Sequence, residues 1–171
     1  MSAIRRISMS VALYLRRFKA DDLPTSAEAA IEALPDACPP DRRRAEEESR
    51  VLMNLGEQWN LVLAALAGAD DSPDTLGYQA VLGGDLLGET GTEIVTYLSV
   101  EGVQRTAASM SSAEGGGQAW VARHLDAVVE AFGADVDADF QRWLATRVDD
   151  LVEFYTAAAA AGDVVAKMVC S

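Results

Sequence analysis

The sequence predicts an α+β fold: a single domain in which several amphipathic helices surround a small mixed sheet that includes the N- and C-terminal strands. Three observations support this fold class. A segment near the start alternates apolar and polar residues, the middle of the chain carries apolar residues at helical spacing, and a short β-branched run closes the sequence. The 171 residues are 50% hydrophobic, which suits one domain over residues 1–171 with its own core.

The first strand is predicted over residues 7–16, where side chains alternate between two faces. The apolar face would carry Ile7, Met9, Val11, Leu13 and Leu15, and the other face Ser8, Ser10, Tyr14 and Arg16. After it, Thr25 or Ser26 can cap a short helix that ends near Leu34. Three prolines then predict a loop over residues 33–41.

A longer helix is predicted from Asp41, a plausible N-cap, to Gly68. Its apolar residues fall at helical spacing and form one stripe: Leu52, Leu55, Trp59, Val62, Leu63 and Leu66. Gly56 lies in the middle of this stripe and costs a helix about 1 kcal/mol relative to alanine. A kink or a break at Gly56 is therefore an alternative to one continuous helix.

Short elements separated by turns are predicted in the middle of the chain. They are a polar loop at 69–75, a short strand or helical turn at 78–82, a loop at 85–93 and a short strand at 94–98. Gly83 and Gly84 end the second of these elements, and three acids with two glycines make the third a loop. Ser99 then caps a helix that ends before Gly115.

Two more helices and a strand complete the prediction, after an inter-helix turn at the three glycines 115–117. The first apolar stripe consists of Val121, Leu125, Val128, Val129 and Phe132, and the second of Phe140, Leu144, Val148, Leu151 and Tyr155. Gly133 ends the first helix, and Gly162 ends the second. The β-branched run 164–170 predicts a strand, and the two terminal strands are candidates to pair with each other.

The net charge of −13 is unevenly distributed. Residues 1–50 are neutral overall, whereas residues 51–171 hold five basic and 18 acidic side chains. An acidic surface of this kind repels phosphate backbones and anionic membranes, so neither nucleic acid nor a membrane is an expected partner. The basic run 42–44 is interpreted as a solvated helix start beside Glu46, Glu47 and Glu48. The acidity either keeps molecules apart in solution or attracts a basic protein partner.

The composition predicts a cytoplasmic bacterial protein. Two cysteines, Cys38 and Cys170, are too few for a disulfide framework. Serines interrupt the apolar N-terminal run and Arg16 and Arg17 follow it, which does not match a signal peptide. Twelve of the 14 basic residues are arginine and alanine is abundant, a bias typical of GC-rich bacterial genomes.

The residues that could carry out catalysis are few. His124 is the only histidine, so histidine-based zinc sites are excluded, and no cofactor or metal is predicted. His124 is either a boundary residue or a general base oriented by a carboxylate, and a Cys38–His124 couple has no support from spacing. Trp59, Trp120 and Trp143 are interpreted as core residues.

Known ligand-binding motifs are incomplete or missing from the sequence. Asp135, Asp137 and Asp139 alternate as in a calcium loop, but the glycine at its sixth position and the acid at its twelfth are wanting. An aspartate-rich helix start explains the three acids without a metal. No GxGxxG motif between a strand and a helix, no GxxxxGK phosphate loop and no GxSxG elbow is found.

Several segments, taken together and in order, resemble the YfbM-like family of bacterial proteins, the domain of unknown function 1877. The segments are the strand 8–16, the tryptophan-bearing helix 55–68, the stretch 80–88 with Gly83-Gly84, the Tyr97-Leu98-Ser99 helix start, and the closing residues 154–169. This resemblance implies a compact cytoplasmic α+β domain. The family has no established activity, so the resemblance implies no reaction.

The chain departs from the family at polar positions. Family members often have an Asp-Lys pair before the tryptophan, where Gly56 and Glu57 stand here, and a histidine four residues after it, where Leu63 stands. A Tyr-Pro element before the last helix has no clear counterpart. If those residues form a site in relatives, the resemblance implies that this chain has lost it.

Two hypotheses about function follow. The first is a non-enzymatic protein-binding module that uses its acidic surface, in a toxin-neutralising or regulatory role. The second is a hydrolase or transferase with a carboxylate-based site near Trp59, Tyr78 and Gly83-Gly84. For either, the candidate ligand or partner surface consists of Glu57, Trp59, Asn60, Tyr78, Gly83 and Gly84. A structural homodimer is a third option, and the sequence does not determine the oligomeric state.

Overall fold

A computed structural model describes residues 11–34, 40–70 and 72–170. Within these ranges the chain forms helices and strands. The helices are α1 Ala27–Glu32, α2 Pro40–Glu48, α3 Trp59–Ala67, α4 Leu76–Val81, α5 Val100–Ser111, α6 Gly116–Arg123, α7 Leu125–Phe132 and α8 Ala138–Ala161. The strands are β1 Ala12–Phe18, β2 Leu52–Gly56, β3 Asp85–Thr90, β4 Glu93–Leu98 and β5 Val164–Cys170. The α+β fold class is confirmed.

The five strands form one sheet in the order β2-β1-β5-β4-β3. Every pairing between them is antiparallel. The sequence predicts a mixed sheet, and this part of the prediction is wrong. The predicted pairing of the terminal strands is confirmed, because β1 and β5 lie side by side from Ala12↔Cys170 to Phe18↔Val164. The residues of the predicted strand before Val11 lie outside the described ranges.

Both faces of the sheet are covered. Leu13 and Leu15 of β1 are completely buried in the main core, which α3 to α8 build against one face. On the other face α1 packs against Ala166 and Met168 of β5, in a smaller core. The predicted alternation along β1 is therefore confirmed, and its polar face is also buried at Arg16, which pairs with the carboxylate of Glu46 from α2.

One continuous helix from Asp41 to Gly68 is wrong, whereas the alternative of a break at Gly56 and the predicted end at Gly68 are confirmed. The middle of this segment forms the edge strand β2, which separates α2 from α3. Arg50 (φ 57°) and Gly56 (φ 60°) adopt left-handed backbone conformations that end regular structure on either side of β2. Met53 and Leu55 point to the main core while Leu52 points to the smaller one, so the residues alternate at a strand period.

Other boundaries differ for similar reasons. Residues 85–93, predicted as a loop, hold the edge strand β3, whose acids and glycine suit an exposed edge. Residues 78–82 lie largely in α4, which confirms the helical alternative. The stripe 121–132 belongs to two helices, since the backbone breaks at His124. The predicted loop 33–41 ends inside α2, and most of it lies outside the described residues.

Helix ends follow the sequence more closely. Side chains of Ser26 and Ser99, both predicted caps, accept hydrogen bonds from the backbone N–H three residues on. Asp137 does the same for Phe140 at the start of α8. Gly162 ends α8 in a left-handed conformation, as predicted. No helix in the described ranges is both long enough and apolar enough to cross a membrane.

A buried ion-pair cluster fixes β1 to the turn between α8 and β5. Asp163, which is 4% exposed, accepts hydrogen bonds from Arg17 Nε and Nη2 at 3.0 and 2.7 Å and from Lys19 Nζ at 2.6 Å. Burial alone would raise the pKa of Asp163, but the hydrogen bonds from Lys19 and Arg17 outweigh it and lower the pKa below its usual value. The carboxylate is therefore the stable form in the fold.

Asp163→Asn is expected to lower the free energy of unfolding by about 3 kcal/mol at pH 7, because it leaves Arg17 buried without its counter-charge. Since the folded pKa lies below the unfolded one, the stabilisation is full above the unfolded pKa near 3.9 and is lost as pH falls through the folded pKa. Urea unfolding at pH 7 and along an acid series measures both effects. Asp139→Asn, which removes an exposed pair with Arg142, is the control and should have little effect.

Candidate functional site

One cleft in the described part of the chain runs along the edge strand β2. Its volume is about 440 Å³. Residues of α2, β2 and α8 line it: Arg43, Glu47, Glu48, Arg50, Leu52, Met53, Asn54, Arg147, Asp150 and Phe154. The lining is thus rich in charged groups of both signs. Phe154 of α8, which is completely buried, is its aromatic member.

Each guanidinium in this cleft is paired with a carboxylate. Arg43 Nε lies 3.1 Å from Glu47, and Arg147 lies 3.4 Å from Asp150. Arg50 contacts Asp150 at 3.6 Å and also pairs with Glu153. Arg147 additionally donates to the Asn54 carbonyl on the outer edge of β2. The arginines therefore cover the strand edge and connect α2, β2 and α8, an arrangement suited to stability more than to binding an anion.

The second cleft, about 390 Å³, lies between the start of α4 and α5. It is lined by Asp74, Leu76, Gln79, Gly102, Arg105, Thr106 and Ser109. Neither cleft is lined by a histidine, a cysteine or any of the six residues that the sequence proposes as a partner surface. The carboxyl groups with shifted pKa values in the described ranges, Glu28, Glu46 and Asp163, are all shifted downwards. A raised pKa, the sign of a carboxylic general acid, is not found among them.

Three of the six proposed residues meet at the start of α3. Glu57 and Asn60 are exposed on either side of Trp59, which is half-buried. The indole Nε1 of Trp59 donates to the Val11 carbonyl at 3.2 Å, and this bond fixes α3 to the entry of β1. The two polar side chains are therefore available to a partner, while the indole N–H already has an acceptor.

Of the other three, Tyr78 lies in α4, and Gly83 and Gly84 lie in the turn that follows α4. Gly77, next to Tyr78, abuts the opposite end of α3, where an added Cβ would come 2.6 Å from the Ala67 nitrogen. Gly83 is buried behind α4 and Gly84 is exposed. A Cβ on Gly84 would lie 2.3 Å from the Tyr97 carbonyl, so this glycine permits close packing of the turn on β4. The hydrolase or transferase site near these residues stays a prediction.

Sequence reasoning missed a buried polar cluster at the C-terminal end of α4. Lys167 lies on β5 and is 1% exposed. Its Nζ donates to the carbonyls of Gln79 and Gly83. Tyr155 Oη donates to the Ala80 carbonyl at 2.6 Å, and Thr96 Oγ1 to the Leu82 carbonyl at 2.9 Å. These side chains satisfy carbonyls that a helix end leaves without partners. Burial lowers the pKa of Lys167 well below its usual value and raises that of Tyr155.

His124 holds a structural position between α6 and α7. Its Nδ1 lies 2.6 Å from the Ala65 carbonyl, which can only accept, so Nδ1 carries the proton. The ring also packs against Trp120, with 6.1 Å between ring centroids. The imidazole thus donates to a carbonyl in the last turn of α3. In a catalytic pair, the group that accepts from Nδ1 would be a carboxylate. Cys38, the other member of the couple that the spacing does not support, lies outside the described residues.

The acidic run before α8 is used to begin that helix. Asp137 caps α8 with a bond of 2.8 Å from the Phe140 N–H, and Asp139 pairs with Arg142. The interpretation of this run as an aspartate-rich helix start is confirmed. In the described ranges no three side chains among His, Cys, Asp and Glu come together as possible metal ligands.

An exposed aromatic cluster follows at the same place. Phe132, at the end of α7, and Trp143, in α8, are 46% and 39% exposed. Both rings contact that of Phe140, with centroid distances of 4.6 Å for Phe132 and 5.3 Å for Trp143. The expectation that all three tryptophans pack in the core is therefore wrong for Trp143, although Trp120 is buried. We call these three rings with the acidic segment 130–139 the α7–α8 corner.

Comparison with known proteins identifies the family of the chain and a solved structure with a similar fold. The family model of the domain of unknown function DUF1877 matches residues 9–167. The crystal structure of YfbM from Escherichia coli, a protein of unknown function, superposes with a TM-score of 0.59 over 93% of this chain and 99% of that one, at 11% identity. No curated protein matches the sequence. Since the family model covers nearly the whole length, the chain belongs to the DUF1877 family.

Proposed function

We propose that this protein is a non-enzymatic binding module of the bacterial cytoplasm whose acidic surface engages a basic protein. Toxin neutralisation or regulation would suit such a module. The observation that carries the proposal is the way the fold uses its cations: most of the described ones form ion pairs within the chain, so the unpaired charges at its surface are mainly acids. With a net charge of −13, the surface field favours a positively charged partner.

Ion pairs occupy most of the basic side chains that the structure describes. The paired cations are Arg16, Arg17, Lys19, Arg42, Arg43, Arg50, Arg142 and Arg147. Lys167 is buried, and the Arg123 guanidinium lies over the Trp120 ring at 5.2 Å. Exposed acids outside these pairs are spread over several elements: Glu57, Asp70, Asp85, Glu89, Glu101, Glu114, Asp126, Glu130 and Asp135.

A binding role also suits the chemistry of the described residues. The imidazole of His124 and the amine of Lys167 are both engaged by backbone carbonyls, and neither lines a cleft.

Association with the partner is expected to depend steeply on salt, because complementary charge acts mainly on the encounter rate. Between about 50 mM and 500 mM salt the association rate should fall at least about tenfold. Chemical crosslinking followed by mass spectrometry identifies what a tagged chain binds, and surface plasmon resonance with the purified partner measures its rates. A partner of basic isoelectric point, released at high salt, supports the proposal. Association only with neutral or acidic proteins, or no association at either salt concentration, contradicts it.

A further inference from the structure

We propose that the α7–α8 corner is the place where the basic partner docks, and that the docking element is an amphipathic segment carrying both cations and apolar side chains. This inference rests on the proposed function and gives it a location. The corner combines exposed aromatic rings with acidic side chains. The rings offer an apolar contact area, and the acids attract a cationic partner and orient it.

The apolar part of the corner is a continuous aromatic surface. Phe140 is half-buried and packs against the main core, so it anchors the cluster to the fold. Phe132 and Trp143 flank it and expose large parts of their rings. Only 6% of the residues are aromatic, and three of them meet here. Exposed tryptophan and phenylalanine side chains are the residue types that dominate binding energies at protein interfaces.

The polar part of the corner is acidic. Glu130 and Asp135 are exposed within three residues of Phe132 in the sequence, and neither is in an ion pair that the structure describes. Asp139 forms an exposed ion pair with Arg142. A lysine or arginine on a partner could therefore contact the carboxylates and lie over the rings at the same time, since cations are attracted to aromatic faces.

Charge also distinguishes between possible occupants. A second copy of this chain placed against the corner would bring two acidic segments together, which costs energy through like-charge repulsion. A basic amphipathic segment of another protein meets no such repulsion and covers the rings. The occupant is accordingly a basic protein, and self-association at the corner is a result that would overturn the inference.

The probe for the test is a synthetic helical peptide of lysine and leucine, with a glutamate–leucine peptide of the same pattern as its charge-reversed counterpart. Fluorescence anisotropy of the labelled peptides measures binding to the full chain at low salt. The lysine peptide should bind and the glutamate peptide should not. Trp143→Ala should weaken binding by about tenfold or more, as expected for a hot-spot ring, and Phe132→Ala should also weaken it. Glu130→Gln with Asp135→Asn should weaken it several-fold.

Matched control substitutions lie on the exposed strand β3. Leu86, which is 60% exposed, gives Leu86→Ala as the apolar control, and Asp85→Asn with Glu89→Gln is the charge control. Both should change binding by less than about twofold, the size expected of rim residues. Circular dichroism checks that each variant is folded. We expect it to be, because the substituted side chains are exposed.

The outcomes separate the two proposals. If corner and β3 variants weaken the lysine peptide equally, binding is diffuse, so the corner inference fails while the acidic binding function stands. If the lysine peptide does not bind at low salt, the proposed function fails with it. Sedimentation velocity gives the third outcome: a dimer of the wild-type chain that Trp143→Ala dissolves would show self-association at the corner and overturn the inference.

Discussion

The free energy of unfolding of the wild-type chain is expected to rise with pH, relative to that of Lys167→Met, by up to about 1.4 kcal/mol for each pH unit in the window between the folded pKa of Lys167 and its unfolded pKa near 10.4. In the unfolded chain Lys167 titrates near its usual value and keeps its proton over this range. In the fold, burial lowers its pKa well below that value, so the folded chain loses this proton within the same window. The unfolded state then binds more protons, and stability increases with pH through the window between the two pKa values.

The geometry around Lys167 agrees with a neutral amine. A neutral amine has two N–H donors, and Nζ meets two carbonyl acceptors, those of Gln79 and Gly83. An ammonium would need a third acceptor, and the described contacts of Nζ provide none. The buried site thus satisfies both N–H donors of the uncharged form, which is the form that burial favours.

Lys167→Gln is the matched variant for this prediction. Like methionine, glutamine does not titrate, so its stability difference from wild type should show the same slope with pH. Its side-chain amide can still donate to a carbonyl, whereas methionine leaves both acceptors without a donor at a cost of about 1–3 kcal/mol each. Urea unfolding at several pH values measures slope and offset separately. Parallel curves for wild type and both variants would show that Lys167 titrates alike in the two states.

Gly117→Ala should lower the free energy of unfolding by about 3 kcal/mol or more, because the added methyl has no room. A Cβ at position 117 would lie 2.0 Å from the carbonyl oxygen of Ala145, in the backbone of α8. The Gly117 N–H also donates to Asp149 Oδ1 at 2.6 Å, so the same approach of α6 to α8 supplies a hydrogen bond. Moving α6 away to accept the methyl would lose both this bond and the packing of Trp120.

Gly91→Ala separates steric clash from backbone strain. Gly91 lies in the β3–β4 hairpin with φ 58°, and nothing is within 4 Å of an added Cβ. Its replacement should cost only about 1 kcal/mol, the penalty of a left-handed conformation for alanine. Urea unfolding followed by circular dichroism compares the two variants. If Gly117→Ala is no more destabilising than Gly91→Ala, the prediction is wrong. Such a result would mean that α6 can move away from α8 at little cost in stability.

The sequence predicts those parts of the fold that short-range chemistry determines. Alternation places Leu13 and Leu15 on one face of β1, and the side chains of Ser26 and Ser99 begin helices at the predicted residues. Strand β2 is missed because Leu52 and Leu55 also fit a helical stripe, and only pairing with β1 decides between the two. Strand β3 is missed because an edge strand can carry the acids and glycines of a loop.

The site-related residues are harder to predict because their partners are distant in sequence. Lys167 is 88 and 84 residues from the carbonyls that it satisfies, and nothing near position 167 indicates α4. The only sequence sign is a lysine inside a β-branched run, which is unusual for a buried strand. Trp143 carries no sign of exposure, since it stands next to Leu144 of the apolar stripe and only the packing of α8 turns it outwards.

The pairing of β1 with β5 affects how the chain can fold during synthesis. These neighbouring inner strands of the sheet join residues 12–18 to residues 164–170, a separation close to the full length. A nascent chain therefore cannot complete its sheet until the last strand has left the ribosome exit tunnel, and β1 has an unpaired edge until then. Such high contact order favours slow folding and makes the waiting strand a natural substrate for chaperones.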